Sequence, residues 1–297
     1  MKKVITPFDR FHNLLDYPFT PNYVAVGDGM TMHYVDEGPK DGEVVLLLHG
    51  EPSWSYLYRH MIPVFVEAGY RTIAPDLIGF GKSDKPVKME DYTYQRHVDW
   101  VGKFITRLDL TGINLFCQDW GGLIGLRLAA EMEERFSRVV AGNTMLPNGI
   151  GKPADAFLQW REYSRKVPKL NVGKILQNST VRELTEAEIA AYWAPFPDEK
   201  YMAGAKIFPS LVPIDRDDPA VPANDAAWEV LKKWEKPFLT LFSDKDPITA
   251  GGEKVFRKLI PGAKDQPKMT INDGGHFLQE DKPQGIAEIM IHWMKEN

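Results

Sequence analysis

Apolar residues along the chain follow two rhythms. Val44-Val45-Leu46-Leu47-Leu48 is a short unbroken apolar run, the pattern of a strand buried on both faces of a parallel sheet. Arg71 to Pro75, Ile113 to Gln118, Arg138 to Gly142, Pro237 to Ser243 and Lys268 to Ile271 read as strands of the same sheet. Tyr23 to Val26 and Thr31 to Val35 flank Gly27-Asp28-Gly29, which marks a hairpin. Between these runs the apolar positions recur at helical spacing. The predicted helices are Trp54 to Ala68, Tyr94 to Leu108, Gly122 to Met132, Gly251 to Leu259 and Pro283 to Lys295.

Strand and helix therefore alternate, which predicts a mostly parallel sheet of about eight strands with helices on both faces. The alternation breaks at about Leu146. From there to about Asp215 the chain is helical and rich in Trp, Tyr and Pro, then the strands resume. The expected organisation is a core domain of residues 1–145 and 216–297 with a helical cap, 146–215, inserted. Such an insertion suits a lid over the carboxyl ends of the strands, where α/β sheets bind ligands.

Composition narrows the setting. No run approaches the roughly 18 apolar residues of a membrane span. Two lysines near the N-terminus have no apolar segment behind them, so no signal peptide is read there. The net charge of -5 gives no basic face for nucleic acid. Cys117 is the single cysteine and sits at the end of an apolar strand, which suits a buried small residue in a cytoplasmic protein. Nothing has metal-ligand spacing, and neither a metal nor a cofactor is expected. A monomer is the default expectation.

The chemistry concentrates at Cys117-Gln118-Asp119-Trp120-Gly121-Gly122, between a strand and a helix. In an α/β-hydrolase fold this is the nucleophile elbow, which usually presents Ser. Here it presents Asp119, although an Asp in this position could also simply cap the helix. Asp246 follows a later strand and His276 follows the last one, giving the order nucleophile, acid, base on one sheet edge. Asp244 is a second candidate for the acid. Asp246 is preferred because it lies further from the strand, where the loop can turn toward His276.

An aspartate is ionised at neutral pH, so Asp119 can attack a saturated carbon without a base and form an ester. His276, oriented by Asp246, then deprotonates a water that attacks this ester. The oxyanion needs donors, and the backbone N–H groups of Trp120 and Glu51 are the expected pair. A departing halide needs weak donors in a dry pocket. The Trp120 indole offers one. Glu51 cannot donate through its side chain if ionised, so the second donor is expected from the cap, with Trp160 the candidate.

At these residues the chain resembles the haloalkane dehalogenases. The segments His49 to Arg59, Gln118 to Gly122 and Gly275 to Glu280 look like that family's first, nucleophile and base motifs. The cap segments Phe157 to Trp160, Leu184 to Glu188, Ala194 to Asp198 and Phe208-Pro209 resemble the branch with the second halide-binding Trp in the lid. The resemblance implies a small halogenated alkane, water and halide as ligands. It also implies a pocket lined by Phe157, Leu123, Phe208, Pro209, Val212 and Ile248. The alternative is an epoxide hydrolase with the same Asp-His-Asp set, which would need cap tyrosines, with Tyr163, Tyr192 and Tyr201 available. A non-catalytic module on the same fold is the third possibility.

Overall fold

A computed structural model describes residues 1–297, and its main sheet follows the apolar runs. Strand β1 (Lys3–Val4) joins only β6 (Lys85–Pro86), in a small antiparallel ribbon. The main sheet contains β2 (Asn22–Gly27), β3 (Met30–Glu37), β4 (Val44–Leu48), β5 (Arg71–Pro75), β7 (Ile113–Gln118), β8 (Phe136–Gly142), β9 (Phe238–Ser243) and β10 (Met269–Ile271). Their spatial order is β10-β9-β8-β7-β4-β5-β3-β2. β2 and β3 form the expected hairpin, with positive φ at Gly27, Asp28 and Gly29. β3 also pairs antiparallel with β5, and the remaining pairs are parallel. Every residue of β4 and β7 is buried, as strands at the centre of a sheet covered on both faces require, including the polar Asn114 and Gln118 toward the two ends of β7.

The helices α1 (Ile62–Glu67), α2 (Tyr94–Arg107) and α3 (Trp120–Glu131) follow the first parallel strands. Thr93 caps α2 by accepting the Arg96 N–H at 3.1 Å. The expected long helix over Trp54 to Ala68 is not continuous. It divides into a 3₁₀ turn at Ser55–Tyr58 and the short α1, in whose first turn Pro63 sits. Proline has no N–H to continue a helical hydrogen-bond ladder and favours a first-turn position.

Between β8 and β9 lie α4 (Asp155–Lys166), α5 (Val172–Asn178), α6 (Glu186–Trp193) and α7 (Ala203–Leu211), all within the segment read as a cap. A further helix, α8 (Val221–Leu231), was not singled out in the sequence pattern. It is fastened to α3, where Arg127 Nη1 donates to Asn224 Oδ1 at 3.0 Å. The chain closes with α9 (Gly252–Leu259), α10 (Leu278–Asp281) and α11 (Pro283–Glu296). The apolar core is continuous from Val26 through Leu47 to Leu176, Tyr192 and Phe208, so the inserted helices share the core of the sheet. No helix is long and apolar enough to cross a membrane.

A buried ion cluster joins the inserted helices to the rest. Arg59 is almost fully buried and donates to Glu280 Oε1 at 2.6 Å and to Glu188 Oε1 at 2.7 Å. Arg182 also donates to both carboxylates. Glu188 completes a capping box with Thr185 at the start of α6.

Candidate active site

The turn after β7 forces Asp119 to φ 52°, a left-handed backbone that a non-glycine residue adopts only at a cost. Its packing leaves no room beside it. A Cβ on Gly121 would lie 2.0 Å from Leu48 O, and one on Gly50 would lie 2.4 Å from the Asp119 Cβ. The turn is held by Asp119 N–H donating to Asn143 O at 3.1 Å and by Thr144 Oγ1 donating to Asp119 O at 2.8 Å. The Asp119 side chain caps no helical N–H, so the capping role is not the one it adopts. Instead, its Oδ1 accepts the backbone N–H of Glu51 at 2.8 Å.

His276, after β10, brings Nε2 to 3.4 Å from Asp119 Oδ2 and Nδ1 to 3.1 Å from Asp246 Oδ2. The second approach is off the line of an aligned hydrogen bond. Asp246 also accepts the Ile248 N–H at 2.9 Å and the Thr249 hydroxyl. Burial works against its charge, but His276 and these donors outweigh it and hold the carboxyl at about 2. Asp244, the other candidate, turns away: it pairs with Lys245 and accepts the Gly274 N–H at 3.3 Å.

Burial lowers the pKa of His276, yet the charge of Asp246 and then the contact with Asp119 raise it to about 10. Glu51 departs from an ordinary exposed carboxylate. Burial, and then the charge of Asp119, push its carboxyl well above the ordinary value, and its Oε1 is buried without a protein partner. The raised pKa favours the neutral carboxyl, which can donate a hydrogen bond where the ionised form cannot.

A cavity of 1190 Å³ opens above this set, lined by Asp119, Glu51, His276, Trp120 and Trp160. Leu123, Phe157, Pro209, Val212 and Ile248 are on its wall. Phe208 is not. It lies one layer back, fully buried, with its ring 4.6 Å from that of Trp120 and 4.8 Å from that of Phe80. Its place in α7, one residue before the wall residue Pro209, turns it inward. The indoles of Trp54, Trp100, Trp228 and Trp293 donate to protein acceptors. Those of Trp120 and Trp160, on the cavity wall, have none, and neither has that of the buried Trp234 away from it.

Residues 43–283 match the α/β hydrolase fold family. The haloalkane dehalogenase of Psychrobacter cryohalolentis is 55% identical over 100% of this chain and 99% of its own length. That of Mycobacterium marinum is 51% identical over 99% of this chain and all of its own. This chain belongs to the haloalkane dehalogenases. Among solved structures, the tetrameric haloalkane dehalogenase DpaA from Paraglaciecola agarilytica superposes with a TM-score of 0.91 at 38% identity, covering 97% of each chain.

Other residues of this haloalkane dehalogenase site were given no role in the sequence pattern. Gln118 Nε2 lies 3.2 Å from His276 Nε2 and donates to His276 O at 3.1 Å. Asn143 Nδ2 donates to His276 O at 3.0 Å. Tyr94 packs edge-on against Trp120, with ring centres 5.2 Å apart. Of the cap tyrosines, Tyr163 alone reaches the cavity wall, where it stacks on Trp160. Tyr192 is buried and donates to Glu280, and Tyr201 is buried away from the cavity.

Proposed function

We propose that this chain hydrolyses short haloalkanes to an alcohol and a halide ion, without a cofactor, through an alkyl ester on Asp119. The observation that carries the reading is Asp119, aimed into an apolar cavity beside two indoles that have no protein acceptor. Asp119 Oδ2 attacks the carbon bearing the halogen in line. The C–O bond forms as the C–halogen bond breaks, and the bonding pair leaves with the halide. The Trp120 and Trp160 N–H groups donate to the departing anion, and the surrounding apolar wall keeps competing water away.

Alkylation removes the negative charge on Asp119, and with it part of what keeps His276 protonated. Once neutral, His276 takes a proton from water through Nε2. The hydroxide adds to the Asp119 carboxyl carbon, and Oδ1 becomes an oxyanion that already faces the Glu51 N–H. The Trp120 N–H is the second proposed donor. Collapse breaks the bond between the Asp119 carboxyl carbon and Oδ2; the proton of the added hydroxyl passes to the departing alkoxide, which leaves as the alcohol, and the carboxylate is restored. Asp246 keeps the ring oriented and stabilises the imidazolium.

Helices α4 to α7 act as the lid, with residues 146–215 as its extent, and supply Phe157, Trp160, Pro209 and Val212 to the pocket. Every proposed group comes from one chain, so a single chain is the working unit, and the single buried cysteine suits the cytoplasm. An epoxide hydrolase is the weaker reading. It needs tyrosines to protonate the opening ring, and Tyr192 is committed to Glu280. The test is a panel of 1-bromobutane, 1,2-dibromoethane and styrene oxide. Bromide release with acidification supports the reading, and diol formation without bromide release refutes it.

A further inference from the structure

We propose that Asp281 is a positioning residue for ester hydrolysis: its carboxylate ties the cap segment 179–182 to the peptide before His276 and so holds the imidazole in place. The inference rests on His276 acting as the base. Asp281 ends α10, the short helix that follows His276. Its Oδ1 accepts the N–H groups of Val181 and Arg182, both at 2.9 Å. Its Oδ2 accepts the Gly275 N–H at 2.7 Å and a longer contact from Val181 at 3.1 Å. One carboxylate thus gathers three backbone donors from two loops distant in sequence.

The other side of His276 is anchored on the same segment. The Phe277 N–H donates to Ser179 O at 3.1 Å. A Cβ on Gly275 would lie 2.5 Å from Ser179 O, so the two backbones are in direct contact. The opposite face of the loop is gripped by the sheet. Gly275 O accepts from Asn143 Nδ2 at 2.9 Å and from Ser243 Oγ at 2.7 Å, and His276 O accepts from Gln118 and Asn143. The helix carrying Asp281 is itself fixed, because the adjacent Glu280 is paired with the buried Arg59.

The consequence is selective. Asp119 is held in place by its elbow and by the Glu51 N–H, groups outside the His276 loop, so its attack should be much less sensitive to that loop than the later step. Deprotonation of water does, and a displacement of about one ångström in a reacting group can cost about a hundredfold in rate. Asn at 281 keeps the shape of Asp but turns an NH₂ group toward a backbone N–H. Either Gly275 or the Val181–Arg182 pair then loses its acceptor.

Rapid-quench measurement of bromide and butanol formed from 1-bromobutane separates the two steps. Asp281→Asn is expected to release bromide at a rate within about twofold of the wild type, to release butanol at least about tenfold more slowly, and to accumulate an alkyl adduct on Asp119. Asp281→Glu, which keeps the charge on a longer arm, is expected to show the same split at smaller size, and decides the matter if Asp281→Asn does not fold. Parallel slowing of both steps, or no change in either, overturns the positioning role. If neither the wild type nor His276→Phe releases bromide, the reading of the reaction falls first and this inference with it.

Discussion

The Glu51 N–H donates to Asp119 Oδ1 at 2.8 Å, and this bond leaves Oδ2 as the oxygen free to attack. Oδ2 is also the oxygen facing His276 Nε2, at 3.4 Å. The alcohol therefore carries away Oδ2, while oxygen from water enters the carboxyl group. In a single turnover in water labelled with heavy oxygen, the alcohol should be unlabelled and the Asp119 peptide labelled. Label in the first alcohol formed would mean direct attack of water on the haloalkane.

Trp160 is half-buried on the cavity wall, and its indole has no protein acceptor. A hydrogen bond to an anion contributes about 1.5–3 kcal/mol. Trp160→Phe should therefore weaken bromide binding by about tenfold or more, read as the quenching of the remaining Trp fluorescence, and should slow cleavage of the carbon–bromine bond. Unchanged bromide affinity and unchanged turnover would reduce Trp160 to packing against Tyr163.

The pKa of His276, about 10, depends in part on Asp119. Asp119→Asn should bring the His276 titration, followed by NMR, downward. In the native protein a raised pKa means stability that is fully present below about 6.5 and lost as pH rises through about 10. The variant should lose less stability over that window. For the same reason, hydrolysis of the alkyl ester should accelerate with pH with a midpoint below 10. A His276 titration unmoved in Asp119→Asn would contradict the coupling.

Arg59 is shared by Glu188 of the cap and Glu280 beside the His276 loop. Removing one partner of a buried ion pair costs about 3–5 kcal/mol, because the remaining charge stays buried without it. Arg59→Met should lower unfolding stability by about that amount in urea titration. A loss below about 1 kcal/mol would show that Arg182 alone satisfies both carboxylates.

The strands were legible because a sheet covered on both faces demands apolar runs, and Val44 to Leu48 and Leu115 to Cys117 supply them. Asp119, Asp246 and His276 were legible from their order and their places after strands. Helix α8 escaped notice because its buried face includes Asn224 and Ala227 beside Val221, Trp228 and Leu231, which blurs the apolar period. The helical spacing over Trp54 to Ala68 hides the break before Pro63. Phe208 was assigned to the pocket wall, but the direction of a side chain on α7 depends on how that helix packs, which spacing does not reveal. The raised pKa of Glu51 is a property of burial beside another carboxylate, and the grip of Gln118, Asn143 and Asp281 on the His276 loop joins groups remote in sequence. Neither leaves a local pattern.

The covalent role of Asp119 is tested most directly by intact-mass and peptide mass spectrometry of His276→Phe incubated with 1-bromobutane. The account predicts one equivalent of bromide released and a stable butyl ester located on Asp119. Continuous turnover in this variant, or a butyl group on any other residue, would contradict it.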